Sequence, residues 1–66
     1  MTIIVNGGRA DCAPGLSLDS FLEGEGYDQR VIVVGLNGTI VPKGSYPSVR
    51  LDDGDALEIL NFVSGG

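Results

Sequence analysis

The stretch LSLDSFLEGEG at residues 16–26 sets the strongest limit on the fold, because there the apolar period changes from strand-like to helical. Leu18, Phe21, Leu22 and Glu25 recur at spacings of three, one and three, which predicts a short helix. Ser17 is placed to accept from the first free backbone amides, and Asp19 sits in the first turn, where the helix dipole favours an anion. Gly24 or Gly26 supplies the left-handed stop. A helix of about eight residues with one apolar stripe can bury that stripe only against a sheet. The rest of the chain must build the sheet.

The remaining segments fit that demand. Met1 to Val5 is apolar and rich in β-branched residues, and it runs into Asn6-Gly7-Gly8, a tight-turn signal that predicts a hairpin. Alternation puts Ala10 and Cys12 on the face shared by Met1, Ile3 and Val5, so Cys12 reads as a small buried apolar residue. No neighbouring Lys or His is present to make it a reactive thiol. Pro14 and Gly15 end the hairpin. Val31 to Leu36 is a near-continuous apolar run, with Ile32, Val34 and Leu36 on one face and Val31, Val33 and Gly35 on the less bulky other. The Asn37-Gly38 turn and a strand from Thr39 to Val41 follow, halted by Pro42. Residues 43–51 read as an irregular connection in which Val49 and Leu51 form a very short strand. Asp52-Asp53-Gly54-Asp55 makes a turn, and a last strand runs from Ala56 to Phe62. The expected class is α+β: a mixed four- to five-stranded sheet with one helix packed across it, the β-grasp arrangement. Residues 1–66 read as a single domain, with 63–66 a flexible C-terminal tail. The pattern leaves strand order open.

Charge and composition narrow the function. The chain has 66 residues, so it buries only about 60% of its unfolded surface and has room for one small core. Four Lys plus Arg against nine Asp plus Glu give a net charge of -5, which argues against nucleic acid or an anionic membrane and for a basic protein partner. Histidine is absent, which removes the side chain best suited to proton transfer near neutrality and the commonest metal ligand. The chain therefore reads as a poor candidate for an enzyme, with no metal. One cysteine excludes an internal disulfide and a thiolate zinc site. The first residues lack a charged segment before a long apolar stretch, and no apolar run approaches the roughly 18 residues of a membrane span, so a cytoplasmic location is expected. Asp19, Glu23 and Glu25 form a solvated helix face rather than an acid–base site. Asp52, Asp53 and Asp55 suit a turn better than a calcium loop, whose twelve-residue ligand pattern is missing.

The last strand carries a candidate binding surface. Leu57 and Ile59 face the core, so Glu58, Leu60 and Phe62 point the other way. Beside Val33 and Gly35, Leu60 and Phe62 make an apolar docking patch, unless one of the protein's own loops covers them.

LNGTIVP at 36–42, DDGD at 52–55, the APGLSLDSFL junction at 13–22 and the terminal Gly65-Gly66 resemble the ThiS family, the ubiquitin-like β-grasp sulfur carriers of thiamine biosynthesis. The resemblance extends over essentially the whole chain. It implies that the Gly66 carboxylate is adenylated with ATP by a ThiF-like enzyme and converted to a thiocarboxylate with sulfur from a donor protein. The sulfur then goes to a thiazole synthase similar to ThiG. No permanently bound cofactor is implied. An α-carboxyl, with a reference pKa of about 3.3–3.7, is ionised at neutral pH and able to attack phosphorus. Ser64 and Gly65 complete the tail, with Ser64 where relatives place a small Ala or Gly. Glycine has no Cβ to clash in a narrow channel, and four extended residues from Val63 reach at most about 13–14 Å. Related thiocarboxylate carriers, such as the molybdopterin synthase small subunit or a cysteine-forming carrier, and a ubiquitin-like interaction module share these features.

Overall fold

The computed structural model describes residues 1–61 of the chain. Two hairpins form where Asn-Gly pairs interrupt the apolar runs. Strands β1 (Thr2–Val5) and β2 (Gly8–Asp11) pair antiparallel with Ile3 opposite Ala10, and β3 (Ile32–Leu36) pairs with β4 (Thr39–Ile40) with Leu36 opposite Thr39. Asn6 and Gly7 have φ of 50° and 84°, and Asn37 and Gly38 have 51° and 86°. Positive φ at both central residues lets the turn follow the right-handed twist of its strands, and Asn and Gly tolerate that conformation best. Strand β4 is shorter than the Thr39–Val41 expectation, although the Val41 amide still donates to the Val34 carbonyl at 2.9 Å.

Strand β5 (Ala56–Asn61) lies in the middle of a five-stranded sheet of order β2-β1-β5-β3-β4. It runs parallel to β1, with Val5 beside Leu57, and antiparallel to β3, with Val34 opposite Ile59 and Ile32 opposite Asn61. The sheet is therefore mixed, as expected.

Helix α1 (Leu18–Gly24) crosses one face of this sheet. Ser17 caps it, with Oγ accepting from the Ser20 amide at 3.1 Å. At the other end the Tyr27 amide donates to the Leu22 carbonyl at 3.0 Å and the Gly26 amide to the Glu23 carbonyl at 3.1 Å. This paired closure requires a left-handed residue, and Gly26, with φ of +82°, provides it rather than Gly24. Leu18, Phe21 and Leu22 are buried against Ile3, Ile32, Val34, Leu57 and Ile59 from the sheet. Cys12, with Met1, Val5 and Ala10, packs half-buried at the margin of this core, in agreement with the alternation.

The connection after β4 differs from its sequence reading. Lys43–Ser48 winds into a 3-10 helix containing Pro47. Its Tyr46 is 1% exposed and joins the core. Val49 and Leu51 do not form a strand. The Leu18 amide donates to the Val49 carbonyl and the Leu51 amide to the Leu16 carbonyl, both at 2.9 Å, with one isolated bridge between Ser17 and Arg50. The segment thus laces to the entry of the helix instead of to the sheet, and buried Leu51 seals the core there. No helix among the described residues is long and apolar enough to cross a membrane.

Candidate functional site

The sheet face away from α1 carries the exposed apolar surface expected from alternation. Along β5, Leu57 and Ile59 are buried, whereas Glu58 and Leu60 are exposed. Antiparallel register places Val33 opposite Leu60 and Gly35 opposite Glu58, while Ile40 sits opposite Gly35 from the other side. These residues, with Gly38, line a shallow groove of about 140 Å³. Leu60 is 65% and Ile40 64% exposed, the large hydrophobic side chains most open to water among the described residues. Leu60 is therefore not covered by a loop within residues 1–61. Phe62, its expected companion, lies outside the described residues, as do Ser64, Gly65 and Gly66. Ile40 was not singled out from sequence; its neighbour Thr39 and the short strand hid which face it would join.

Gly35 forms the floor of the groove. A Cβ built there would meet the Thr39 carbonyl oxygen at 3.9 Å and Glu58 Cβ at 4.0 Å, which are ordinary contacts. Glycine is not required at this position by sterics. Its effect is to leave the groove open between the Glu58 and Ile40 side chains.

Two asparagines hold β5 in register beside this groove, and sequence reading identified them only as turn formers. Where β1 ends, Asn6 turns its side chain onto β5: Oδ1 accepts from the Ile59 amide at 2.8 Å and Nδ2 donates to the Ile59 carbonyl at 3.2 Å. The side chain thereby continues the pairing that the β1 backbone has abandoned, and it holds the C-terminal half of β5 in place. Asn37 acts at the start of the same strand. Its Oδ1 accepts from the Ala56 amide at 2.9 Å, its backbone amide donates to the Ala56 carbonyl at 2.8 Å, and its Nδ2 donates to Asp55 Oδ1 at 3.0 Å. The signal in both cases was an Asn, rather than a second Gly, at the first turn position, since Asn tolerates positive φ and also carries both a donor and an acceptor to offer a neighbouring strand.

Two of the three aspartates of the preceding turn are occupied by the backbone. Asp53 Oδ1 accepts from the Thr2 amide and Asp55 Oδ2 from the Asp52 amide, both at 2.8 Å. Gly54, at φ +87°, completes the turn, and its amide donates to the Thr2 carbonyl at 2.8 Å. Among the described residues no three His, Cys, Asp or Glu side chains are grouped to hold a metal ion. On the helix side, Asp19 accepts from Gln29 Nε2 at 2.9 Å, a structural contact that ties α1 to the following turn.

A family model for the ThiS family matches residues 3–66, nearly the whole chain. The chain belongs to the ThiS family. The crystal structure of a thiamine biosynthesis protein (ThiS) from Geobacter metallireducens superposes with a TM-score of 0.86 at 29% identity, covering both chains completely. Among curated relatives, a thiazole synthase of Paramagnetospirillum magneticum is 38% identical over all 66 residues, and one of Magnetococcus marinus is 32% identical. The chain spans only 20% of the length of each of these two proteins. A protein of Porphyra purpurea, ycf40, is 30% identical across 93% of its own length. The five-stranded sheet with one helix is accordingly the ubiquitin-like β-grasp of the ThiS family.

Proposed function

We propose that this chain is a sulfur carrier for thiazole formation in thiamine biosynthesis, with the Gly66 carboxylate as its working group. The observation that carries the reading is the ThiS family match running from residue 3 through Gly66, so that it includes the glycine tail as well as the scaffold. In this reading the carboxylate attacks the α-phosphorus of ATP in an adenylating enzyme similar to ThiF, and pyrophosphate leaves. Sulfide-level sulfur released by a donor protein then attacks the acyl carbon and AMP leaves with the bonding pair, giving a thiocarboxylate. The scaffold does no bond chemistry. It presents Ser64, Gly65 and Gly66, and it docks through the groove face, with Leu60 and Phe62 as the apolar contacts.

The thiazole synthases of P. magneticum and M. marinus each contain a region matching this whole chain, which supports a working partnership with a ThiG-like synthase. The absence of His and the backbone-bound aspartates favour a protein acted on over one that acts. The test is intact mass of the protein after incubation with ATP, the adenylating enzyme and a sulfur source. An oxygen-to-sulfur gain at the C-terminus is expected, and it disappears when Gly66 is deleted. Thiazole production in a purified system by chains lacking Gly65 and Gly66 would overturn the proposal.

A further inference from the structure

The groove on the open sheet face is amphipathic in a way that specifies what enters it. Across the sheet, Glu58 of β5, Gly35 of β3 and Ile40 of β4 form one row of register partners. The central member has no side chain, so the row is a notch with a carboxylate on one side and an aliphatic group on the other. Val33 and Leu60, paired in the next row, make the notch wall apolar.

Among the described residues that line the groove, Glu58 alone is charged. Among the described residues it forms no salt bridge; the pair found is Arg30 with Asp28. The protein's other cations are placed elsewhere. Lys43 Nζ donates to the Gln29 carbonyl at 2.7 Å, Arg50 to the Gly15 carbonyl at 3.3 Å, and Arg9 lies on β2 at the far edge of the sheet from β3 and β4. With a net charge of -5, the chain offers no cation of its own to compensate the groove.

Resting on the docking reading above, we infer that the partner inserts one long basic side chain into this notch, its methylene stem over Gly35 and its charged head on the Glu58 carboxylate. Arg and Lys are the side chains that combine an apolar stem with a cationic end, and they bury the first while pairing the second. A purely aliphatic insert would desolvate Glu58 without a partner, which is unfavourable. Arg fits best, because its fork can meet a carboxylate with two hydrogen bonds. Glu58 is thus a specificity residue for the docking step, distinct from the apolar contact made by Leu60.

The experiment is titration calorimetry of the full chain against the ThiF-like adenylating enzyme at low and at physiological ionic strength, comparing the parent with Glu58→Gln, Gly35→Val and Leu60→Ser. Removing the charge in Glu58→Gln is expected to weaken binding about tenfold and to flatten its salt dependence. Gly35→Val fills the notch with a strand-favouring side chain at a position where a Cβ is tolerated, so it keeps the fold, checked by circular dichroism, yet loses affinity. Leu60→Ser weakens binding while leaving the salt dependence in place. Unchanged affinity for Glu58→Gln together with a loss for Leu60→Ser overturns the basic insert and leaves docking at this face standing. Unchanged affinity for all three variants overturns both.

Discussion

Replacing Asn6 by glycine isolates the side-chain brace on β5. Glycine accepts the positive φ of 50°, so the turn itself is preserved, while the 2.8 Å and 3.2 Å hydrogen bonds to Ile59 are lost. The relief of left-handed strain and the extra chain entropy of glycine are each about 1 kcal/mol or less and oppose one another. What remains is two hydrogen bonds at about 0.5–1.5 kcal/mol each, a net loss of about 1–3 kcal/mol. At about 4–8 °C per kcal/mol for a domain of this size, Tm falls by roughly 5–20 °C. Thermal unfolding followed by circular dichroism measures the total, and amide hydrogen exchange localises it, with faster exchange expected at Ile59. An Asn6→Gly chain with unaltered Tm and unaltered Ile59 protection would refute the idea that a turn side chain substitutes for strand pairing.

Other outcomes follow from named groups. The buried Tyr46 hydroxyl finds no hydrogen-bond partner among the described residues, and burial raises its pKa above the ordinary value of 10.0. Tyr46→Phe is therefore expected to stabilise the fold by about 1 kcal/mol, read as a higher Tm at neutral pH. Because the folded value is the higher one, the contribution of Tyr46 to the parent's stability is level below about pH 10 and is lost as pH rises through the raised folded value; Tyr46→Phe removes that loss in urea titrations at alkaline pH. Ser17→Ala removes the cap of α1 and leaves the Ser20 amide unpaired, a loss of about 0.5–2 kcal/mol by urea unfolding.

Local physics explains which parts of the fold were legible. The helix is encoded by Leu18, Phe21 and Leu22 together with the Ser17 cap, all within one short window, and the structure has each in that role. The faces of β5 follow from strict alternation, so buried Leu57 and Ile59 and exposed Leu60 were readable as well. Strand order was not, because the parallel pairing of Val5 with Leu57 joins the two ends of the chain and no local pattern reports it. Tyr46 was missed because Gly44 and Pro47 signal a break in regular structure, whereas a 3-10 turn accommodates both and still buries the ring between them. For the site, Gly35 was visible as a small residue, but its place between Glu58 and Ile40 depends on pairing across three strands. Asn6 and Asn37 announced turns; that their amides also reach β5 depends on where the turns land.

The central place of β5 also has a mechanical consequence. Tension applied to residues beyond Asn61 is borne along the strand's own axis, by ladders to β1 on one side and β3 on the other. Such a load shears many bonds at once, whereas an edge strand could be peeled away bond by bond. Under the proposed carrier role, a pull by a partner enzyme on the residues after Asn61 loads these ladders in shear and leaves the body intact.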